Sequence, residues 1–260
     1  KLARDLDKDL GIDPIVFTRA ILRLFVSVHT YTSQGDALAA ALKFKGNAPD
    51  VFAFLKEQSE VSLDDVKKEL PPGLGQLEAL ETLWLNGGPI TKPTNIDELA
   101  KLEKFRSLKH YADKVNLKHL EPLSHLQELH FAGALSELSD IAPLASWKNL
   151  RVLYLANTAI TDISPLAGLT DLEDLDISET KVTDLEPLRK LVKLRSLGLK
   201  RLPVTDLSVI SELPALETLN LDFLDVGDLS MISGASKLKR LTLWGAKVQD
   251  LSALKGLPLT

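Results

Sequence analysis

The chain has 260 residues, of which 45% are hydrophobic and 26% charged, and its formal net charge is −5. This composition is ordinary for a globular protein, and the charge argues against nucleic acid as the main partner, because phosphate backbones are bound by clustered Lys and Arg. The absence of cysteine excludes disulfides, thiolate metal sites and a cysteine nucleophile. No apolar run reaches the roughly 18 residues that a membrane span needs.

The first part of the chain, residues 1–74, has the pattern of about four helices. Asp13 and Pro14 predict the start of an apolar helix, because aspartate caps a helix and proline fits its first turn. Another helix is predicted at "SLDDVKKEL", which opens with a Ser-x-x-Asp cap at Ser62 and stops before Pro71. We expect a small all-α cap that covers the edge of the segment that follows.

Residues 75–260 contain an internal repeat of 22 residues. In its most regular part the row reads LxxLxLxxxxVxDLxPLxxLxx, with Leu150 opening the first of five rows in unbroken register. Eight rows begin near residues 80, 105, 126, 150, 172, 194, 216 and 238. The first row carries a longer back segment, "TNIDELAKLEK", which predicts a short helix. One strand per row cannot bury its leucines alone, so the rows should stack about 4.8 Å apart in a parallel sheet.

These rows resemble the leucine-rich repeat family, in particular the 22-residue repeats of bacterial internalins. The resemblance implies an α/β solenoid: a curved horseshoe with a parallel β-sheet on its concave face and short 3₁₀ turns behind it. It also implies a module that binds another protein and has no catalytic role of its own.

An aspartate recurs in each regular row, at Asp162, Asp184, Asp206, Asp228 and Asp250. Each stands at the entry of the return turn, where a carboxylate can accept the free backbone N–H groups of that turn. A ladder of Ca²⁺ ligands is the alternative, but one carboxylate per row makes a poor cage. We therefore expect this column to be structural.

No pattern in the chain predicts catalysis. His119, His125 and His130 are close in sequence but fall on different parts of their rows, and His110 takes an inward strand position typical of a core histidine. The GxSxG, HExxH, Walker A and GxGxxG motifs do not occur. We therefore expect no enzyme activity, no metal, no cofactor and no small-molecule substrate.

The outward strand positions are the candidate binding site, because exposed aromatic and polar side chains on a rigid sheet are typical of protein interfaces. The candidate residues are Trp84, Tyr111, His130, Tyr154, Asp174, Asp176, Lys200, Asn220, Asp222, Arg240 and Trp244. The first four should form one aromatic band bordered by Asp174 and Asp176. This combination favours a partner with an apolar anchor beside a Lys or Arg.

Two readings of the function remain open beside a free-standing binder. The repeats could recognise substrates for a larger bacterial effector, such as a ubiquitin ligase, or act as the sensor portion of an immune receptor. The sequence does not indicate the partner or the compartment. Row eight ends without a polar capping helix, so we expect either more chain beyond Thr260 or a second molecule over that end.

Overall fold

The computed structural model describes residues 57–64, 70, 74–86, 96–111, 114–133 and 137–260. They belong to two compact units, one within Lys1–Ala112 and the other within Asp113–Thr260. Most of the predicted helical cap, residues 1–74, lies outside the described residues. Its boundary with the repeats therefore stays a prediction.

The first unit is built on three parallel strands, β1 (Glu60–Asp64), β2 (Thr82–Asn86) and β3 (Ser107–Tyr111). They pair in sequence order, with Val61 opposite Leu83 and Leu83 opposite Leu108. A single turn of helix, α1 (Ile96–Leu99), follows β2 within the back segment where a helix was predicted. A 3₁₀ turn lies at Leu74–Gln76.

The prediction of a helix beginning at Ser62 is wrong, because Ser62 lies within β1 and pairs with Trp84 of β2. Val61 is 4% exposed, so this segment buries an apolar residue against its neighbours as a strand does. Tertiary pairing with β2 overrides the local cap signal. A further strand therefore precedes the eight that the repeat predicted.

The second unit repeats one strand and one 3₁₀ turn per row. Its strands are β4 (Glu128–Ala132), β5 (Val152–Tyr154), β6 (Asp174–Asp176), β7 (Ser196–Gly198), β8 (Thr218–Asn220) and β9 (Arg240–Thr242). The 3₁₀ turns are Leu117–Leu123, Ala142–Ser146, Ser164–Gly168, Glu186–Lys190, Ser208–Glu212, Ser230–Ile232 and Ser252–Leu254. From β4 onward each strand is parallel to the next. The predicted class, a leucine-rich-repeat solenoid with a parallel sheet, is confirmed.

The repeat positions decide the core. Leu153, Leu155 and Ile160 of one row are each 0% exposed, as are Leu175, Ile177 and Val182, their counterparts in the next row. Burying an aliphatic side chain of this size contributes roughly 1.5–3 kcal/mol. In these two rows the inward side chains of the strands pack in the core, and the outward side chains are left for other contacts.

The aspartate column has the structural role predicted for it. Asp162 Oδ1 accepts the Ser164 N–H at 2.7 Å, and Asp184 Oδ1 accepts the Glu186 N–H at 2.9 Å. Asp206, Asp228 and Asp250 accept the equivalent bond at 2.7–2.8 Å. In each case the aspartate carboxylate accepts the backbone N–H of the residue two positions later in the chain. This arrangement is an Asx turn, and it orders the backbone where each of these return segments begins.

Candidate functional site

The outward face of the first unit carries an aromatic pair. The Trp84 and Tyr111 rings are stacked, with 5.7 Å between centroids and 9° between planes. Lys109 Nζ lies 4.4 Å from the centre of the Trp84 ring, and Trp84 Nε1 donates to a carboxylate oxygen of Glu60. Tyr111 is 38% exposed. Two predicted site residues are thus brought together by adjacent strands.

A second aromatic pair lies on the outward face of β4 and β5, in the other unit. The His130 and Tyr154 rings meet edge to face, with centroids 4.4 Å apart. The Tyr154 hydroxyl donates a hydrogen bond to Asp174 Oδ2 at 2.9 Å. Partial burial and this bond to a carboxylate both raise the pKa of the Tyr154 hydroxyl above its ordinary value. His130 Nε2 is 3.6 Å from Glu128 Oε2.

Asp174 and Asp176 give this face its charge. Among the described residues, neither carboxylate has a Lys or Arg within ion-pair distance. Some other carboxylates of the unit are paired with a basic residue of the next row, as Asp171 is with Lys193 at 2.6 Å. The outward face of β4–β6 therefore carries two aromatic rings beside two carboxylates that have no Lys or Arg partner among the described residues. We name the four residues His130, Tyr154, Asp174 and Asp176 the acidic aromatic face.

The backbone conformation of the sheet fixes Asp176. Its Oδ1 accepts the Ser178 N–H at 2.9 Å, which holds the carboxylate over the neighbouring strand. A Cβ added to Gly198 of that strand would collide with this carboxylate. Gly198 therefore leaves the space that Asp176 occupies.

Two more predicted site residues bind backbone N–H groups at the ends of their strands. Asn220 Oδ1 accepts the Asp222 N–H at 2.9 Å, and Asp222 Oδ1 accepts the Trp244 N–H at 2.8 Å. These side chains order the chain as it leaves β8 and β9. The groups that do not make these bonds are the side-chain NH2 of Asn220 and Oδ2 of Asp222.

The remaining predicted residues lie on β9 or just after a strand. Arg240 donates to the Thr218 hydroxyl at 2.8 Å, and Lys200 forms an ion pair with Glu179 at 2.7 Å. Trp244 is 73% exposed, the most exposed of the large hydrophobic side chains in the described part of the chain.

Sequence reasoning missed a column of residues at the rim where the strands end. Asn157, Glu179, Arg201 and Phe223 have φ between 55° and 65°, and Gly245 takes the same place with φ 68°. The Arg201 guanidinium lies 4.3 Å from the centre of the Phe223 ring, and that ring meets Trp244 edge to face at 4.6 Å. The 22-residue spacing of this column was visible, but its left-handed backbone was not.

The histidines do not assemble into a site among the described residues, where no three His, Asp or Glu side chains are grouped as metal ligands would be. His110 is 1% exposed, at the inward position predicted for it. Burial lowers the pKa of His110 to about 4, so the ring is neutral near pH 7. No helix in the described segments is long and apolar enough to cross a bilayer.

Known proteins that are similar to this chain in sequence or in structure also contain leucine-rich repeats or are internalins. Residues 148–190 match the family model described as leucine-rich repeats (2 copies). No curated protein sequence matches the chain. An internalin of Listeria monocytogenes, inlF, has a similar structure with 24% identity and a TM-score of 0.61, over 91% of this chain and 73% of its own. Internalin C2 of the same organism gives 22% identity and a TM-score of 0.57, over 91% of each chain.

A plant structure is also similar, at 18% identity and a TM-score of 0.52. It is the leucine-rich-repeat ectodomain of the Arabidopsis thaliana receptor kinase GASSHO1/SCHENGEN3, in complex with Casparian strip integrity factor 2. The match covers 73% of this chain and 24% of that one. The chain has the fold of a leucine-rich-repeat solenoid and is similar in structure to the internalins. Its residues 148–190 also match the sequence model of leucine-rich repeats.

Proposed function

We propose that this protein is a non-catalytic binding module that recognises a partner protein through the outward residues of its strands. The observation that carries the proposal is the acidic aromatic face, where the Tyr154 ring is held by His130 on one side and by Asp174 on the other. A tyrosine fixed in this way offers apolar area without a further loss of side-chain freedom on binding, which is why such residues dominate interfaces.

The charge of the face indicates the chemistry of the partner. Asp174 and Asp176 lie on the same face as the two rings, and among the described residues neither has a Lys or Arg within ion-pair distance, so a Lys or Arg of the partner would pair with them. An apolar side chain next to that cation would cover the Tyr154 ring. We infer a partner surface with a basic residue and an apolar anchor side by side.

Three considerations support a protein rather than another ligand. The face is an open sheet surface rather than an enclosed pocket, and proteins bind such surfaces over large areas. The net charge of −5 opposes nucleic acid. A plant receptor ectodomain of similar fold was solved in complex with a named factor. The same face would serve if these repeats recognise substrates or signals for a larger effector or receptor.

Affinity capture with matched variants tests the proposal. The wild-type chain, Tyr154→Ala and Arg189→Ala would each be immobilised and exposed to the same extract. Arg189 pairs with Glu186 and Glu212 in the return turns, away from the strands, so it is the control. We expect one protein to be retained by wild type and by Arg189→Ala and lost with Tyr154→Ala. A protein retained equally by all three would refute the assignment of this face.

A further inference from the structure

The rim beside β8 and β9 holds a second cluster of side chains that the acidic aromatic face does not include. The Arg201 guanidinium lies 4.3 Å from the centre of the Phe223 ring, and the Phe223 and Trp244 ring centroids are 4.6 Å apart. We name these three residues the rim platform. Trp244 ends the series and is 73% exposed.

Phe223 has a left-handed backbone conformation, which is unfavourable for a residue with an aromatic side chain. Its φ is 58°, in the left-handed region that aromatic residues avoid and that asparagine and glycine tolerate. The equivalent positions of other rows hold Asn157 and Gly245, which suit this conformation, and Glu179 and Arg201, whose side chains are unbranched at Cβ. A Phe kept at such a position costs about 1–3 kcal/mol, and strain of this kind collects where a side chain is needed for function.

The core does not account for Phe223. Leu221 and Leu224 of the same row are each 1% exposed and fill the inward positions, whereas Phe223 is only half-buried. Its ring lies over the rim instead, in space that Gly245 leaves open. A Cβ on Gly245 would fall 2.6 Å from Phe223 Cδ1. The next row is thus shaped to admit the ring.

The charge around the rim platform is opposite to that of the acidic aromatic face. Lys200 and Arg201 share a single carboxylate, Glu179, at 2.7 and 3.2 Å. Arg240 bonds to the Thr218 hydroxyl and has no carboxylate within ion-pair distance among the described residues. Asp222 is an acid of the same rim, and its Oδ1 accepts the Trp244 N–H. Glu217, which interacts electrostatically with Arg240, is already shared with Lys239 and Arg195. Because Glu179 is shared by two cations and Glu217 by three, the described residues around the rim platform carry more positive than negative charge.

We propose that the rim platform is a second protein-binding site, which takes an acidic segment of a partner that also carries a large apolar side chain. The apolar side chain lies on Trp244 and Phe223, and the carboxylates of the segment pair with Lys200 and Arg240. This site lies on other strands than the acidic aromatic face and prefers the opposite charge.

Two synthetic peptides with one Leu-Phe centre test the charge preference, one flanked by glutamates and the other by lysines. Calorimetric titration of the full chain should give at least tenfold tighter binding of the acidic peptide. Trp244→Ala should weaken that binding at least tenfold, and the double reversal Lys200→Glu with Arg240→Glu should abolish the preference. The control Lys190→Glu, an exposed charge in a return turn, should leave it unchanged.

Phe223→Asn separates function from structure, because asparagine suits the left-handed backbone. It should leave the melting temperature unchanged or raised while the acidic peptide is lost. If instead it destabilises the chain as a core truncation does, the ring is structural and the proposal fails. No binding of the acidic peptide up to roughly 1 mM, a Kd equivalent to −4 kcal/mol, would also overturn it. Tyr154→Ala should still bind the acidic peptide, because Tyr154 is not part of the rim platform. The test of the rim platform is therefore independent of the test of the acidic aromatic face.

Discussion

The Tyr154 hydroxyl and the Asp174 carboxylate, on adjacent strands 20 residues apart, share a 2.9 Å hydrogen bond across the outward face. The bond uses one oxygen of Asp174 and fixes the ring above the sheet. The pair therefore acts as one unit, with an apolar surface beside a negative charge.

Truncation of the aromatic rings should weaken partner binding. We expect Tyr154→Ala or Trp84→Ala to cost about 2 kcal/mol, roughly thirtyfold in Kd, as hot-spot truncations do. Tyr154→Phe keeps the ring and loses only the bond to Asp174, so it should cost less. Calorimetry with the captured partner measures all three. If wild type and both alanine variants bound the partner with equal affinity, the partner would not bind through these outward strand residues.

The position of the Asp176 carboxylate should govern the association rate. Gly198→Ala should displace the carboxylate, because the new Cβ takes its place, while the flexible side chain limits the loss of stability. Asp176→Lys reverses the charge, and we expect it mainly to slow association. Charges at the edge of an interface chiefly affect how fast the two proteins meet in the right orientation. Stopped-flow rates at two salt concentrations would measure this. A changed dissociation rate with an unchanged association rate would contradict it.

Loss of a turn aspartate should reduce stability and not binding. Asp184→Ala removes the acceptor of the Glu186 N–H, so we expect a loss of about 1 kcal/mol in the free energy of unfolding. Urea denaturation measures it. A melting temperature that Ca²⁺ raises in wild type but not in this variant would make the column a cation site instead.

His110 should make the protein less stable in acid. Its folded pKa is about 4, below the ordinary 6.5, so protons bind the unfolded state first as the pH falls. The stabilisation is complete above about pH 6.5 and is lost down to about pH 4, by up to about 3 kcal/mol. His110→Leu should flatten this part of the pH profile in urea denaturation followed by circular dichroism. An unchanged slope in the variant would show that other groups cause it.

The charges between rows should stabilise the stack only at low salt. Glu217 lies 2.8 Å from Lys239 and 3.6 Å from Arg195, its neighbours in the rows on either side. The bond to Lys239 lowers the pKa of Glu217, so its stabilising effect is present above its ordinary pKa and fades below it. Glu217→Gln should lower the melting temperature slightly, and about 1 M salt should remove the difference. A difference that persists in salt would indicate a packing effect.

The repeat itself was predictable from the sequence. Leu153, Leu175 and Leu197 recur every 22 residues because each row has the same inward position to fill, and each is at most 1% exposed. The turn aspartates were equally predictable, since an Asx turn depends on residues two apart in the chain. Patterns that act within one row, or identically in every row, can be read from the residues alone.

Contacts between rows were decided by the tertiary structure. The strand at Glu60–Asp64 was predicted as a helix, because its cap signal is local whereas its pairing with Thr82–Asn86 is not. Phe223 was overlooked because its role depends on Arg201 and Trp244, each about one repeat away, and on a left-handed backbone. The sequence determined which side chains face outward; which of them touch depends on rotamers and turn geometry, which only stacking the rows fixes.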